Sequence, residues 1–250
     1  YNNNGTGIGI TVAVVDTGID VSNAEFTGAI AGASTDIVTN NANFVQDVNG
    51  HGTAVSGVIG ARKNDAGTHG VAYNSTILAI RTDTIGSCFT SCSFTENNIA
   101  AAMNFAVANG ARVINLSLGS ASAPGSALQA ALQNAVNNNV AVVVAAGNSG
   151  GAQALFLARL ANCTGQAGLC NLFNAQGKMI AVGATDQSNT IASFSNRAGD
   201  TDTGYLVAPG VNIVTTRLGG GTRTVDGTSF SAPHVAGALA VVMQRFPTLT

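Results

Sequence analysis

Five short runs, Ile10 to Val15, Thr76 to Ile80, Val113 to Leu118, Val140 to Ala146 and Met179 to Val182, are rich in Val, Ile and Ala at successive positions rather than at every second one. A strand covered on both faces reads this way, because neither face can hold polar groups. Segments of helical period lie between several of them. Ser93-Phe94-Thr95-Glu96 has the form of a capping box. Ile99, Ala102, Met103, Ala106 and Val107 then follow at i, i+3, i+4, i+7 and i+8, and Asn109-Gly110 supplies a C-cap. Ser126 to Asn138 repeats the arrangement, with Leu128, Ala131, Leu132 and Ala135 on one face. Buried strands alternating with helices predict an α/β fold: three layers, a mostly parallel sheet with helices on both faces. Ligands of such sheets bind beyond the carboxyl ends of the strands, so candidate chemistry is sought there.

Composition narrows the classes. Of 250 residues 46% are hydrophobic and 9% charged, with a net charge of -2, which is the opposite of a disordered chain. Ten Lys and Arg leave no basic stripe to neutralise phosphates, so nucleic acid is not expected as a partner. The longest apolar runs, such as Val140 to Ala146 and Val235 to Met243, fall far short of the ~20 residues that span a bilayer. Linkers, charge blocks and internal repeats are absent from the sequence, and one domain is expected. Cys88 and Cys92 form one close pair and Cys163 and Cys170 another. Two local disulfides in an exported protein, buried free thiols and a four-Cys zinc site are the alternatives. The spacings lack the C-x-x-C form that favours zinc, and connectivity is not set by spacing.

Three segments carry candidate chemistry. Val12 to Asp20 places Asp16 at the end of an apolar strand, where a carboxylate is costly unless it is hydrogen-bonded or used; on its own it equally suits an Asp capping the turn at Gly18. His51 stands between Gly50 and Gly52 at the start of a small-residue helix, which leaves its imidazole face open. His69 and His234 lack such a setting and read as structural. Asp226 to Gly237 opens a helix at Thr228-Ser229, with Pro233 in its first turns. Ser229 there either caps the helix or aims its hydroxyl at a substrate held by backbone N–H groups. Asn148, after the run Val140 to Ala146, suits a turn before Gly150.

Taken together, in the order Asp, His, Ser, these segments resemble the subtilisin-like serine protease family, the subtilases, and the similarity covers nearly the whole chain. The resemblance implies a single peptidase domain over residues 1–250. By similarity Asp16 orients the imidazole, His51 is general base then acid, Ser229 is the nucleophile and Asn148 donates to the oxyanion. Ser117, Leu118 and Gly119 match one wall of the pocket for the residue before the scissile bond, and Ala146 and Gly147 the facing wall. The chemistry would need no cofactor. A structural calcium is expected from Glu25, nine residues after Asp16, with Asn64, Ala66 and Thr68 in the loop Lys63 to Thr68; Lys63 adds an opposing charge there.

The remaining expectations concern context. Tyr1 begins with neither an initiator Met nor a signal pattern, and 21 residues follow Ser229 where the family continues with a further helix and strand; a chain cut short at its C-terminal end is expected. A protein or peptide substrate, a propeptide or protein inhibitor, a monomeric state and a secreted or cell-surface location are implied. From Asn148 to Thr185 the chain holds no Asp or Glu, so cleavage after neutral, mainly apolar residues is expected, with Asp83 the one acid that could reach in from the opposite wall. The competing function is a non-proteolytic binding or passenger module that keeps the fold. Serine-carboxyl peptidases share a Gly-Thr-Ser signature but lack the His that Asn49 to Thr53 supplies.

Overall fold

Each of the five Val-, Ile- and Ala-rich runs forms a strand, and both faces of the resulting sheet are covered. A computed structural model of the chain describes residues 5–89, 91–120, 122–163 and 174–248. In chain order the elements are β1 (Thr11–Asp16), β2 (Thr35–Asp36), α1 (His51–Gly60), β3 (Thr76–Arg81), α2 (Glu96–Ala108), β4 (Val113–Leu116), α3 (Ser126–Asn137), β5 (Ala141–Ala145), α4 (Phe156–Arg159), β6 (Met179–Thr185), β7 (Tyr205–Pro209), β8 (Ile213–Thr216), β9 (Thr222–Val225) and α5 (Thr228–Arg245). Seven strands form one parallel sheet in the order β2-β3-β1-β4-β5-β6-β7, and β8 and β9 form an antiparallel hairpin.

Alternate residues of the strands sort to opposite faces. Ala13, Val15, Ile114, Leu116, Val142 and Val144 pack in one core with Met103 and Ala106 of α2 and Leu128 and Leu132 of α3. Val12, Val14, Val113, Val143 and Ala145 pack in the other with Ala54 and Ile59 of α1 and Ala236 and Ala240 of α5. Burying each large aliphatic chain contributes ~1.5–3 kcal/mol, and a one-residue slip would exchange both faces, so the register is held from two sides.

Two local expectations shift. The N-cap of α2 is Thr95, whose Oγ1 accepts from the Asn98 N–H at 3.2 Å, in place of Ser93. Phe94 bridges to Asp83 and the Thr84 N–H donates to the Ser93 carbonyl, so the chain is still extended at residue 94 and helix starts only after it. The Glu96 carboxylate, free of a capping box, accepts from the Gly125 N–H at the start of α3. The run to Leu118 leaves the sheet at Leu116. Cys88 and Cys92 form a disulfide; Cys163 is disulfide-bonded as well, and Cys170 lies outside the described residues. Free thiols and zinc ligation are thereby ruled out for Cys88, Cys92 and Cys163. Among the described residues no helix is long and apolar enough to cross a membrane.

The chain lays β3 on one side of β1 and then crosses to lay β4 on the other. The crevice outside the carboxyl ends of β1 and β4 is therefore the switch point of the sheet.

Candidate active site

Asp16, the last residue of β1, is 1% exposed, and its Oδ1 lies 2.8 Å from Nδ1 of His51, the first residue of α1. The Thr17 N–H donates to the same oxygen at 2.8 Å. A carboxylate offers no proton, so Nδ1 carries the hydrogen of this contact and Nε2 is left bare in the neutral ring. Burial pushes the His51 pKa down, but the charge and hydrogen bond of Asp16, with the charge of Asp47, outweigh it and raise the imidazole above its usual range.

The closeness of that pair has a cause in the two adjoining turns. A β-carbon on Gly52 would overlap the Gly18 carbonyl and come within 3.2 Å of Asp16 Cβ, so only glycine allows α1 to start there. The N-cap Gly50 (φ +94) offers no side chain, and Asp47 takes its place: its carboxylate accepts from the N–H groups of Asn49, Gly50 and Thr53 and from the hydroxyls of Thr53 and Thr17. Sequence reading passed over Asp47. Its signal was an Asp three residues before the glycine at the N-cap, which has no side chain of its own to cap with.

Ser229 is the second residue of α5, and the N-cap is Gly227 (φ +142), so the Ser229 hydroxyl does not cap the helix. Its Oγ donates to the Ser117 carbonyl at 3.2 Å, while the His51 ring lies 5.6 Å from the ring of the next residue, Phe230. The hydroxyl is thus turned to Ser117. Pro233, four residues on, has no N–H for the Ser229 carbonyl. The Ser117 hydroxyl fills that vacancy at 2.7 Å, and Asn115 Nδ2 donates to the Ser117 hydroxyl at 2.9 Å.

Beyond β5, Asn148 Oδ1 accepts from both the N–H and the hydroxyl of Thr228 at 2.9 Å, and the Gly147 N–H donates to that hydroxyl at 3.1 Å. With its oxygen occupied, Asn148 presents its Nδ2 hydrogens. Asn196 Oδ1 fixes the next turn, accepting from Ser149 N–H, Ser149 Oγ and Gly151 N–H. Asn115 and Asn196 were not singled out from the sequence, and Thr228 only as an opening residue of the helix: Thr228 and Asn196 bond partners distant along the chain, and Asn115 acts through Ser117 on the distant Ser229 carbonyl.

His51, Ser117, Leu118 and Gly119 line a cavity of about 330 Å³ together with Cys92 and Phe94. Ala146 and Gly147 stand at the end of β5, where the Ala146 N–H bonds the Val182 carbonyl. Asp83 is 2% exposed and paired with Arg81 at 2.8 Å, Arg159 pairs with Asp200, and Lys178 donates to Asn139. A base held by a buried carboxylate, a hydroxyl at a helix N-terminus and unspent amide hydrogens are the parts that acyl transfer uses.

Of the expected calcium residues, Glu25 and Asn64 meet. Glu25 is 8% exposed with one carboxylate oxygen, Oε2, buried and without a hydrogen-bond partner, and it faces the loop at Asn64 and Gly67. Burial raises its pKa and the Asn64 side chain offsets part of that. Lys63 turns away, its Nζ 5.9 Å from the Tyr73 ring centre. A buried carboxylate oxygen without a partner suits a hard cation, while the Asn64 amide oxygen beside it accepts from the Ala66 N–H at 3.2 Å. His69 packs edge-on against Tyr73, and His234 Nδ1 donates to the Phe230 carbonyl at 2.7 Å.

The sequence profile of the subtilase family matches residues 7–250. An alkaline protease of Alkalihalobacillus alcalophilus is 40% identical over 248 residues, 99% of this chain and 57% of that protein. Subtilisin Savinase of Lederbergia lenta is also 40% identical, across 99% of this chain and 81% of its own length. In structure, a cold-adapted subtilisin-like serine proteinase superposes with a TM-score of 0.77 at 34% identity, covering 100% of this chain and 81% of the other. A prenylagaramide maturation protease gives 0.75 at 27% identity, covering 97% and 77%. The chain thus spans little more than half of the first of these relatives, and it belongs to the subtilase family.

Proposed function

We propose that the chain is a serine endopeptidase that hydrolyses peptide bonds through an acyl-enzyme. His51 takes the proton from Ser229 as its oxygen attacks the substrate carbonyl, and returns it to the leaving amine. Asp16 holds the imidazole in the Nδ1–H tautomer and stabilises the cation that forms. The Asn148 amide and the Ser229 N–H receive the negative charge that develops on the carbonyl oxygen. The observation that carries this reading is the convergence of the Asp16–His51 pair, the hydroxyl of Ser229 and the unspent Asn148 hydrogens on one crevice.

Residues 1–250 act as one peptidase domain. The chemistry draws on side chains and backbone alone. Glu25, with Asn64 and the loop at Ala66 and Thr68, would hold a structural calcium, which supplies charge to the orphaned carboxylate oxygen. The residue before the cut bond is neutral, because Asp83 is spent on Arg81. The substrate is an extended protein segment, and the disulfides suit an extracellular setting. Incubation with a fluorophosphonate probe tests the reading: modification is expected on Ser229, and an unmodified Ser229 in folded protein would contradict it.

A further inference from the structure

Leu155 stands between the two walls of the expected pocket. Its N–H donates to the Ala146 carbonyl at 2.9 Å, and the N–H of Phe156 donates to the Ser120 carbonyl at 3.2 Å, so this dipeptide spans from one wall to the other. A β-carbon on Gly119 would lie 2.5 Å from Leu155 Cδ1; one on Gly147 would lie 2.9 Å from that carbon and 2.7 Å from Cγ. One methyl group therefore touches both glycine positions and fills the gap between them. The side chain is half-buried, and α4, which follows at once, is anchored in the core by Leu157 (1% exposed) and Ala158 (0%). With its backbone tied at both ends, Leu155 cannot withdraw without breaking those bonds.

Resting on the peptidase reading above, we infer that Leu155 sets the specificity of the cleavage, closing the pocket so that it takes small uncharged side chains, Gly, Ala or Ser, before the cut bond. The two wall glycines make room that the leucine then occupies, leaving space for a methyl or hydroxymethyl group but not for an aromatic ring. A ring would have to displace the isobutyl group into packed surroundings, whereas the smaller group enters without rearrangement.

The test uses two peptides that differ only in the residue before the cleaved bond, Ala or Phe. Wild-type enzyme and Leu155→Gly are compared, with Leu155→Ala as a milder variant and fluorophosphonate uptake counting active sites. The ratio of kcat/KM for the two peptides, taken within one preparation, does not depend on how much of a variant has folded. Wild type is expected to favour Ala by roughly 10- to 200-fold, and Leu155→Gly to lose or reverse that preference, with Leu155→Ala between. A wild-type enzyme that labels yet favours Phe, or a ratio unmoved by both substitutions, overturns the inference while leaving the peptidase reading intact. Folded enzyme that neither labels nor cleaves overturns the peptidase reading, and this inference with it.

Discussion

The carbonyl of Ser229 depends on a single hydroxyl, since Pro233 has no N–H to give it and Ser117 Oγ supplies the bond. Ser117→Ala should leave that acceptor unsatisfied, at a cost of ~1–3 kcal/mol, and lower kcat by loosening the residue that carries the nucleophile. Because Pro233→Ala restores an N–H in the helix, a double-mutant cycle by chemical denaturation should show coupling between the two positions. Strict additivity would show that the vacancy is filled some other way. Asn148→Ala should lower kcat by roughly 10²–10³, a figure taken from subtilisin, a relative, with KM little changed, because its hydrogens act only once charge develops. An equal rise in KM would make Asn148 a ground-state residue. His51 must be neutral to accept a proton, and its pKa is raised by Asp16 and Asp47 against the effect of burial. Activity should therefore rise with pH through a midpoint above 6.5, the ordinary value, and the midpoint should fall in Asp16→Asn. A wild-type midpoint below 6.5 in the profile of kcat/KM would contradict that electrostatic account.

At the level of elements, the site depends on how closely α1 approaches β1. Gly52→Ala adds a methyl group against the Gly18 carbonyl and Asp16 Cβ, and should cost ~1–3 kcal/mol as overpacking while parting His51 from Asp16. A fall in kcat/KM together with a lower melting temperature is expected; unchanged activity would mean that the pair tolerates the shift. The sheet was legible in the sequence because β1, β3, β4, β5 and β6 are buried on both faces and so show no alternation. What stayed hidden lies at the edge or in the hairpin. β7 ends the sheet with Leu206 and Val207 half exposed, and β9 reads Thr-Arg-Thr-Val, too polar to signal a strand. The start of α2 was misplaced by two residues because the bridge from Phe94 to Asp83 is a tertiary contact that capping chemistry cannot reveal. The same division holds in the site. Asp16, His51, Asn148 and Ser229 stand in recognisable local motifs, whereas Thr228 and Asn196 bond partners that only the fold brings near, and Asn115 holds its neighbour Ser117, whose own tie to the Ser229 carbonyl is long-range.

Across the whole molecule, the calcium site proposed at Glu25 would link stability to the cation. Burial raises its pKa, so the ionised carboxylate costs stability, and that cost appears as pH rises through the raised value. A cation bound there would offset it. Stability should rise as RT ln(1 + [L]/Kd), about 2.7 kcal/mol at 100 times Kd, with the gain shrinking as acid protonates Glu25 and vanishing in Glu25→Ala. Identical melting curves in excess calcium and in chelator would remove calcium from the account. The central claim, that this fold gathers a serine peptidase site at its sheet crossover, is tested most directly by the turnover of purified Ser229→Ala on a peptide the wild type cleaves. A loss in kcat of ~10⁶, the size found for the nucleophile of subtilisin, a relative, is predicted, with folding intact by melting temperature. A correctly folded variant that keeps more than a small fraction of wild-type turnover would contradict the account.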